Sequence, residues 1–253
     1  MIAPERLFLP QKKADLRQAV QRRFSCHVFS APPSLADWAS LSYLAGRYGS
    51  SDGVTLHLFR VPTSFFSGSF LSFSRITGTN AVCAVTAPAN GLQDTQAGLL
   101  SEAFVLECAL LGLGTCYLTG SFLRKPLPAA FSRTERVLCL IAIGQCGESP
   151  ASRGKHKELN KLCQGDPDTW PVPFRQAASL VQLAPSSGGA QPFLMWADGN
   201  AFCLDSSDRT RMDLGIGICH AELALTMPHI WRFSEHRYEP MSRSLCQMEA
   251  SAL

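Results

Sequence analysis

Charge, long apolar runs and paired cysteine motifs are all scarce in this chain of 253 residues. Only 17% of the residues are charged and the formal net charge is +3, too slight a balance to argue for nucleic acid as a partner. Ten cysteines are present, yet no Cys-x-x-Cys occurs among positions 26, 83, 108, 116, 139, 146, 163, 203, 219 and 246. That scatter is not a disulfide framework. Cys83 in AVCAVTA, Cys108 in FVLECALL and Cys139 in VLCLIAIG sit inside apolar runs, where a reduced thiol acts as a small hydrophobe. The longest apolar run, residues 103–113, is broken by Glu107 and falls short of the roughly 18 residues a membrane helix requires. No membrane association is expected. The opening MIAPERLFLPQKK has charges ahead of any useful apolar stretch and no small-residue cleavage site, so a cytoplasmic location is expected.

What the chain has is core: 46% of its residues are hydrophobic, enough for one large domain or two intimately packed halves. Residues 14–24 carry a narrow helical stripe of Leu16, Val20 and Phe24, and residues 35–45 a second helical pattern stopped by Gly46. Residues 54–61 and 81–87 read as strands, and 96–113 as a helix apolar on almost every side, ended by the GLG at 112–114. RVLCLIAIG, 136–144, is the clearest central strand. A passage rich in Pro, Gly, Lys and Asp follows, dividing the chain into a first half at 1–150, a linker at 151–173 and a second half at 174–253. In that half a helix at 174–183 leads to a small-residue loop, strands at 192–197 and 200–205, and a helix at 211–225. The tail from 234 has no clear period and is expected to be partly ordered at best. Both halves run helix, strand, apolar helix, and LLSEAFVLECALL is weakly similar to LGIGICHAELALT. An internal duplication is inferred.

Four segments carry candidate chemistry. Arg23, Ser25 and His27 alternate, so in an extended chain a guanidinium, a hydroxyl and an imidazole share one face and suit a phosphate. APSSGGAQPF, 184–193, offers backbone amides and two hydroxyls to a flat ligand. GLGTCYLTGSF, 112–122, brackets a short apolar piece with glycines, and Arg153, Lys155, His156 and Lys157 form a compact basic cluster. Each alone also has an ordinary structural explanation as a helix end, a turn or a solvated cluster. Asp213 is expected to favour a helix N-terminus, His220 and Glu222 to make polar contacts between packed helices, and Glu107 to pair across the interface of the halves.

In order, these segments resemble the flavin-dependent nitroreductase family over most of the chain. Its Arg-x-Ser-x-Arg/Lys followed by an aromatic is similar to Arg23, Ser25, His27 and Phe29, and its PSxxNxQPW loop to Pro185, Ser186, Ser187, Gly189, Gln191, Pro192 and Phe193. Its buried helix ending in GLG resembles residues 96–120, and its late Ile-x-x-Gly strand with following basic residues resembles IAIGQCGE and the run from Lys155 to Lys157. In the family the Pro-Ser loop follows the first motif closely; here it stands in the other half of the chain, as in a subfamily whose single chain mimics the whole dimer.

The resemblance implies an α+β, nitroreductase-like fold with a central mixed sheet flanked by helices, an internally duplicated pseudo-dimer. It further implies one FMN per chain, NAD(P)H as donor and ping-pong hydride transfer to a small-molecule acceptor such as a nitroaromatic or quinone. Arg23, Ser25, His27, Lys155 and Lys157 would surround the phosphate, and Arg75 would reach the ribityl or pyrimidine edge. Backbone at Thr119 and Gly120 would lie against flavin N5, with Pro185, Ser186, Ser187 and Gly189 covering the other side and Gln191 completing the loop. The chain would act as a monomer. Two other functions stay open: a flavin-binding or sensing module without turnover, and a structural pseudo-enzyme without flavin.

Overall fold

Two helices with no polar face govern how everything else is placed. The structure, a computed structural model, describes residues 3–49, 53–66, 76–91, 93–119, 127, 135–147, 156–207, 211–234 and 237–242. In chain order, α1 (Pro10–Arg22) starts on a proline, whose fixed φ suits a first helical position. After β1 (Phe29–Ala31), α2 (Leu35–Tyr48) opens with a capping box: the Asp37 N–H donates to the Ser34 hydroxyl and the Ser34 N–H to the Asp37 carboxylate. β2 (Thr55–Arg60) and β3 (Ala81–Pro88) lead to the buried α3 (Asp94–Leu110), then β4 (Leu113–Leu118) and β5 (Glu135–Cys146). The second half supplies α4 (Val172–Gln182), β6 (Phe193–Asp198), β7 (Ala201–Ser206), α5 (Met212–Ala224), β8 (His229–Ser234) and β9 (Arg237–Ser242).

The α+β class is the one observed, but the strands form two sheets instead of one central mixed sheet. One runs β1-β5-β3-β2 with β4 also on β5, the other β6-β7-β9-β8. All pairings between these strands are antiparallel, and parallel pairing among the described residues is confined to the bridges Ser25 with Thr115, Val28 with Thr77 and Cys163 with Met195. Short connections explain part of this: β6 and β7 are joined by Gly199 and Asn200 alone, with Gly199 at φ +55°, a turn that permits only antiparallel neighbours. Two further elements depart from expectation. Gly112, at φ +76°, does not merely end α3 but turns the chain into β4, where Thr115, Cys116 and Tyr117 suit a strand. Residues 229–242 form a hairpin where the sequence shows no clear period beyond 234; His229 and Trp231 are buried on alternate positions of β8. Residues 243–253 of that tail lie outside the described residues.

The two helices meet backbone to backbone. A Cβ added at Gly98 of α3 would lie 2.0 Å from the Met212 carbonyl oxygen, and one added at Gly215 of α5 would lie 1.9 Å from that of Thr95. Each clash falls on the residue three places before the opposite glycine, so the contact is reciprocal, as about a local two-fold axis. One turn further on, fully buried Glu102 and His220 join the helices: His220 Nδ1 donates to the Leu180 carbonyl at 2.8 Å, and a proton bridges Nε2 and Glu102 Oε1 at 2.9 Å. The expected partner of Glu107 across the halves is replaced by Lys12 at 2.8 Å and the Tyr48 hydroxyl at 3.1 Å, because α1 and α2 both pack on α3. Besides Glu102, Glu222 also reaches between the halves: it binds Lys13 of α1, His229 at 2.8 Å and the Trp231 indole N–H at 2.8 Å. The nine described cysteines form no disulfide with one another, and burial pushes the Cys108, Cys139 and Cys219 thiols far up, which keeps them protonated.

Two outcomes follow. Gly98→Ala or Gly215→Ala should lower the unfolding free energy by at least about 3 kcal/mol, since the methyl meets backbone that must move. By contrast Gly46→Ala, on α2 with nothing within 4 Å, should be neutral or stabilising; urea midpoints compare the three. The second concerns pH. Burial opposes the Glu222 charge, yet the hydrogen bonds and charges of His229 and Lys13 outweigh it and hold the carboxyl below 4.5. Burial likewise opposes the His229 charge, but Glu222 outweighs it and holds the imidazole above 6.5. The depressed acid stabilises above 4.5 and loses this as pH falls through its folded value; the raised base stabilises below 6.5 and loses this as pH rises through its own. Thermal midpoints should therefore be highest between 4.5 and 6.5, and His229→Gln should flatten the decline on the alkaline side.

Candidate functional site

The segment after α1 is extended and runs beside β4. Arg23 caps α1 with extended backbone, Ser25 bridges to Thr115, and the Cys26 N–H donates to the Thr115 carbonyl at 2.9 Å. Phe24 and Cys26 pack into the apolar cluster beneath that sheet, while Ser25 is exposed and Arg23 and His27 are half-buried. Arg23 Nε is buried with no hydrogen-bond partner among the described residues, a donor in want of an acceptor.

Thr119, just past the end of β4, is four residues from Thr115, about 13 Å along an extended strand. There it meets the second half: its hydroxyl lies 3.4 Å from that of Ser187. Between them is a cavity of about 50 Å³, lined by Tyr117, Thr119, Ser186, Ser187, Gly188, Met212, Asp213 and Ile216. The structure thus brings together two expected segments far apart in sequence.

The 185–191 loop is held by its last residue. Gln191 is buried at φ +45°. Its N–H donates to Ser186 Oγ at 2.8 Å, its carboxamide nitrogen to the Gln182 carbonyl at 2.6 Å, and its carboxamide oxygen accepts the Lys157 N–H at 2.6 Å. The Lys157 ammonium donates to the Gln191 carbonyl at 3.1 Å, so this expected phosphate ligand is joined to the loop. Gly188 and Gly189 have φ of +60° and +67° with open space around them. Expected residues Arg75, Gly120 and Lys155 lie outside the described residues.

Sequence reasoning assigned Asp213 to the helix N-terminus. Asp213 does lie in the first turn of α5; what the sequence did not show is that the N-cap is Arg211, in the left-handed region at φ +59° and without a side-chain cap bond, and that the Asp213 carboxylate accepts the Ser187 N–H at 3.2 and 3.1 Å from its two oxygens. Tyr117 was also missed. Its hydroxyl is 3.1 Å from Ser101 Oγ and 3.1 Å from Glu102 Oε2, and loss of solvation together with the Glu102 charge pushes the phenol well above its ordinary range, leaving a neutral donor. The small-residue helix carrying an acid in its first turn was the available signal for Asp213; β4 itself had to be recognised before Tyr117 could be placed. Among the described residues no helix is long and apolar enough to cross a membrane, and no group of three or more His, Cys, Asp or Glu is placed to hold a metal.

Comparison with known proteins gives this geometry a family. A model described as "Putative TM nitroreductase" matches residues 15–225. No curated protein matches. Among solved structures, one described as a putative nitroreductase from Thermotoga maritima is 19% identical, covers 89% of this chain and 93% of its own, and superposes with a TM-score of 0.66. A nitroreductase with bound FMN from Desulfitobacterium hafniense is 12% identical over 60% of this chain and 98% of its own, with a TM-score of 0.49. One in complex with FMN from Desulfovibrio desulfuricans is 16% identical over 62% and 98%, with a TM-score of 0.47. The Thermotoga likeness shows a shared fold over nearly the whole length of both chains, and the family match spans both halves. With the family model spanning most of its length, the chain belongs to the nitroreductase family so described.

Proposed function

We propose that this chain is an FMN-dependent NAD(P)H oxidoreductase of nitroreductase type, passing hydride in two half-reactions to nitroaromatic or quinone-type acceptors. It holds one FMN and works as a cytoplasmic monomer whose second half takes the place of a partner subunit. The observation that carries this reading is the meeting of Thr119 from the first half with Ser186, Ser187 and Gly188 from the second, across one cavity. The reciprocal contact of Gly98 and Gly215 supports an internal duplication behind that arrangement, with halves at 1–150 and 174–253 joined by 151–173.

The residues present fit an FMN. A dianionic phosphate needs cationic donors; Ser25, bridged to Thr115, stands at one end of a run of about 13 Å, at about 3.3 Å per residue, that leads to the ring end at Thr119, and Arg23, two residues before Ser25, has a buried nitrogen without a partner among the described residues. Ser25 and His27 lie on the same segment, and the family resemblance adds Arg75 and Lys155, while Lys157 is engaged with the Gln191 end of the loop. At the ring end the 50 Å³ cavity is below the roughly 300 Å³ of a typical small-molecule site. Two of its lining residues, Thr119 and Ser187, are exposed and bring their hydroxyls within 3.4 Å of each other. Gly188 and Gly189 supply a backbone that yields beside them.

When bound, FMN supplies the electron transfer itself, accepting and donating hydride equivalents. The protein's part is to bind, orient and exclude water. Arg23 offsets the phosphate charge and fixes one end of the molecule. The Ser186 and Ser187 loop and the backbone at Thr119 and Gly120 hold the two faces of the ring site, and a stable Gln191 latch keeps that loop in register with Lys157.

FMN-loaded protein should bleach on anaerobic addition of NADH or NADPH and recover its colour with a quinone. Joint replacement of Arg23→Ala and Ser186→Ala should weaken FMN affinity at least about tenfold, from loss of one charge-assisted contact and one loop hydroxyl. Bound flavin that nicotinamides do not bleach would leave a binding or sensing module. Unchanged affinity in the double variant would contradict the composite site.

A further inference from the structure

Buried carboxylates are unfavourable unless they are bonded, and Asp213 is 5% exposed. It lies in the first turn of its own helix, beside the N-cap residue Arg211, which donates to Asp205 and to the Ser206 carbonyl, both at 2.7 Å. The two Asp213 oxygens reach across the cavity wall to the Ser187 N–H. That amide begins the most permissive stretch of the loop. Ser187, Gly188 and Gly189 are exposed, both glycines have positive φ, and the turn bonds from Gly189 N–H to Ser186 and from Ala190 N–H to Ser187 tie the turn only to itself. At the far end Gln191 is latched to Ser186, Gln182 and Lys157. The near end is attached to the body of the protein through Asp213 and touches Thr119.

The reciprocal packing of the buried helices identifies the counterpart of Asp213. Gly98 and Gly215 occupy equivalent places, so the residue two before each glycine is equivalent as well: Gln96 on α3 matches Asp213 on α5. Gln96 is 2% exposed, and neither atom of its carboxamide has a hydrogen-bond partner among the described residues. One helix therefore carries an anchor engaged with a loop amide, and the other an amide side chain engaged with nothing described.

We propose that Asp213 is the positioning residue of the flavin loop, fixing the Ser187 amide and with it the Ser186 to Gly189 turn, and that Gln96, without a partner among the described residues, holds the related place on α3 and does not share this role. This rests on the flavin reading above in so far as the loop's ligand is FMN. Asp213 takes no part in hydride transfer; it lowers the disorder that binding would otherwise have to remove.

The test is backbone amide exchange in flavin-free protein, together with FMN dissociation constants from fluorescence quenching. In Asp213→Ala the amides from Ser187 to Ala190 should exchange about tenfold faster and FMN should bind about tenfold more weakly, the usual scale for losing a bond to a buried charge. Asp213→Asn, which keeps an acceptor and the shape, should recover much of both and guards against a fold defect in the alanine variant. Gln96→Ala should leave both unchanged. Exchange at Ser187 that is the same in wild type and Asp213→Ala would overturn the assignment, as would an equal loss of affinity in Gln96→Ala. If wild-type protein binds no FMN the flavin reading fails, and the exchange rates at Ser187 still decide whether Asp213 is the anchor.

Discussion

The contact between Gly98 and Gly215 is the constraint from which the rest of the arrangement follows. Only hydrogen side chains let α3 and α5 approach until each glycine rests on the other helix's carbonyl. At that separation the two helices have almost no surface left for water, which is why they are apolar on every side where an ordinary surface helix would show a stripe. The start of α5 is thereby brought beside β4, which leaves α3 through the turn at Gly112. Met212, Asp213 and Ile216 consequently line the same cavity as Tyr117 and Thr119. The candidate site is a product of helix packing between the two halves and would not exist in either half alone.

A chain with few charges has placed several of them inside, and four of its buried acids are matched in different ways. Glu102 is joined to His220 and Tyr117, Glu107 to Lys12 and Tyr48, Glu222 to Lys13, His229 and Trp231, and Asp213 to a loop amide. The first three connect elements to elements, and an uncompensated partner in any of them would be strongly destabilising. Asp213 differs because what it holds is a loop at the cavity edge. Structural ion pairs favour rigidity of the core; a carboxylate engaged with an exposed loop favours order at the cavity edge.

How much of this could be read from residues alone depends on the element. The buried helices, the strands around 81–87 and 136–144 and the second-half hairpin of β6 and β7 are legible because length and apolar pattern agree. β4 is not, since GLG reads as a helix stop and the strand begins within it. The hairpin of β8 and β9 is hidden by a Pro, several charges and no sustained alternation. The resemblance between LLSEAFVLECALL and LGIGICHAELALT points at the right two helices but in a register two residues away from the packing, which equates Gly98 with Gly215; Glu107 and Glu222 are accordingly not equivalents. The loop at 185–191 and Thr119 were legible through the family resemblance, and the structure sets them side by side. The partner of a buried acid was not, because pairing depends on which helices pack together, and that is decided by tertiary contact.

Family and fold are those of a nitroreductase, and the proposal built on them is that residues from both ends of the chain jointly hold one flavin. The most direct measurement is the visible absorbance of the purified protein, with the flavin released by denaturation and counted against chain concentration. A result near one FMN per chain, reached as isolated or after incubation with excess FMN, is what a single composite site predicts. No flavin under either condition would contradict the account, leaving a family member that keeps the fold without the cofactor.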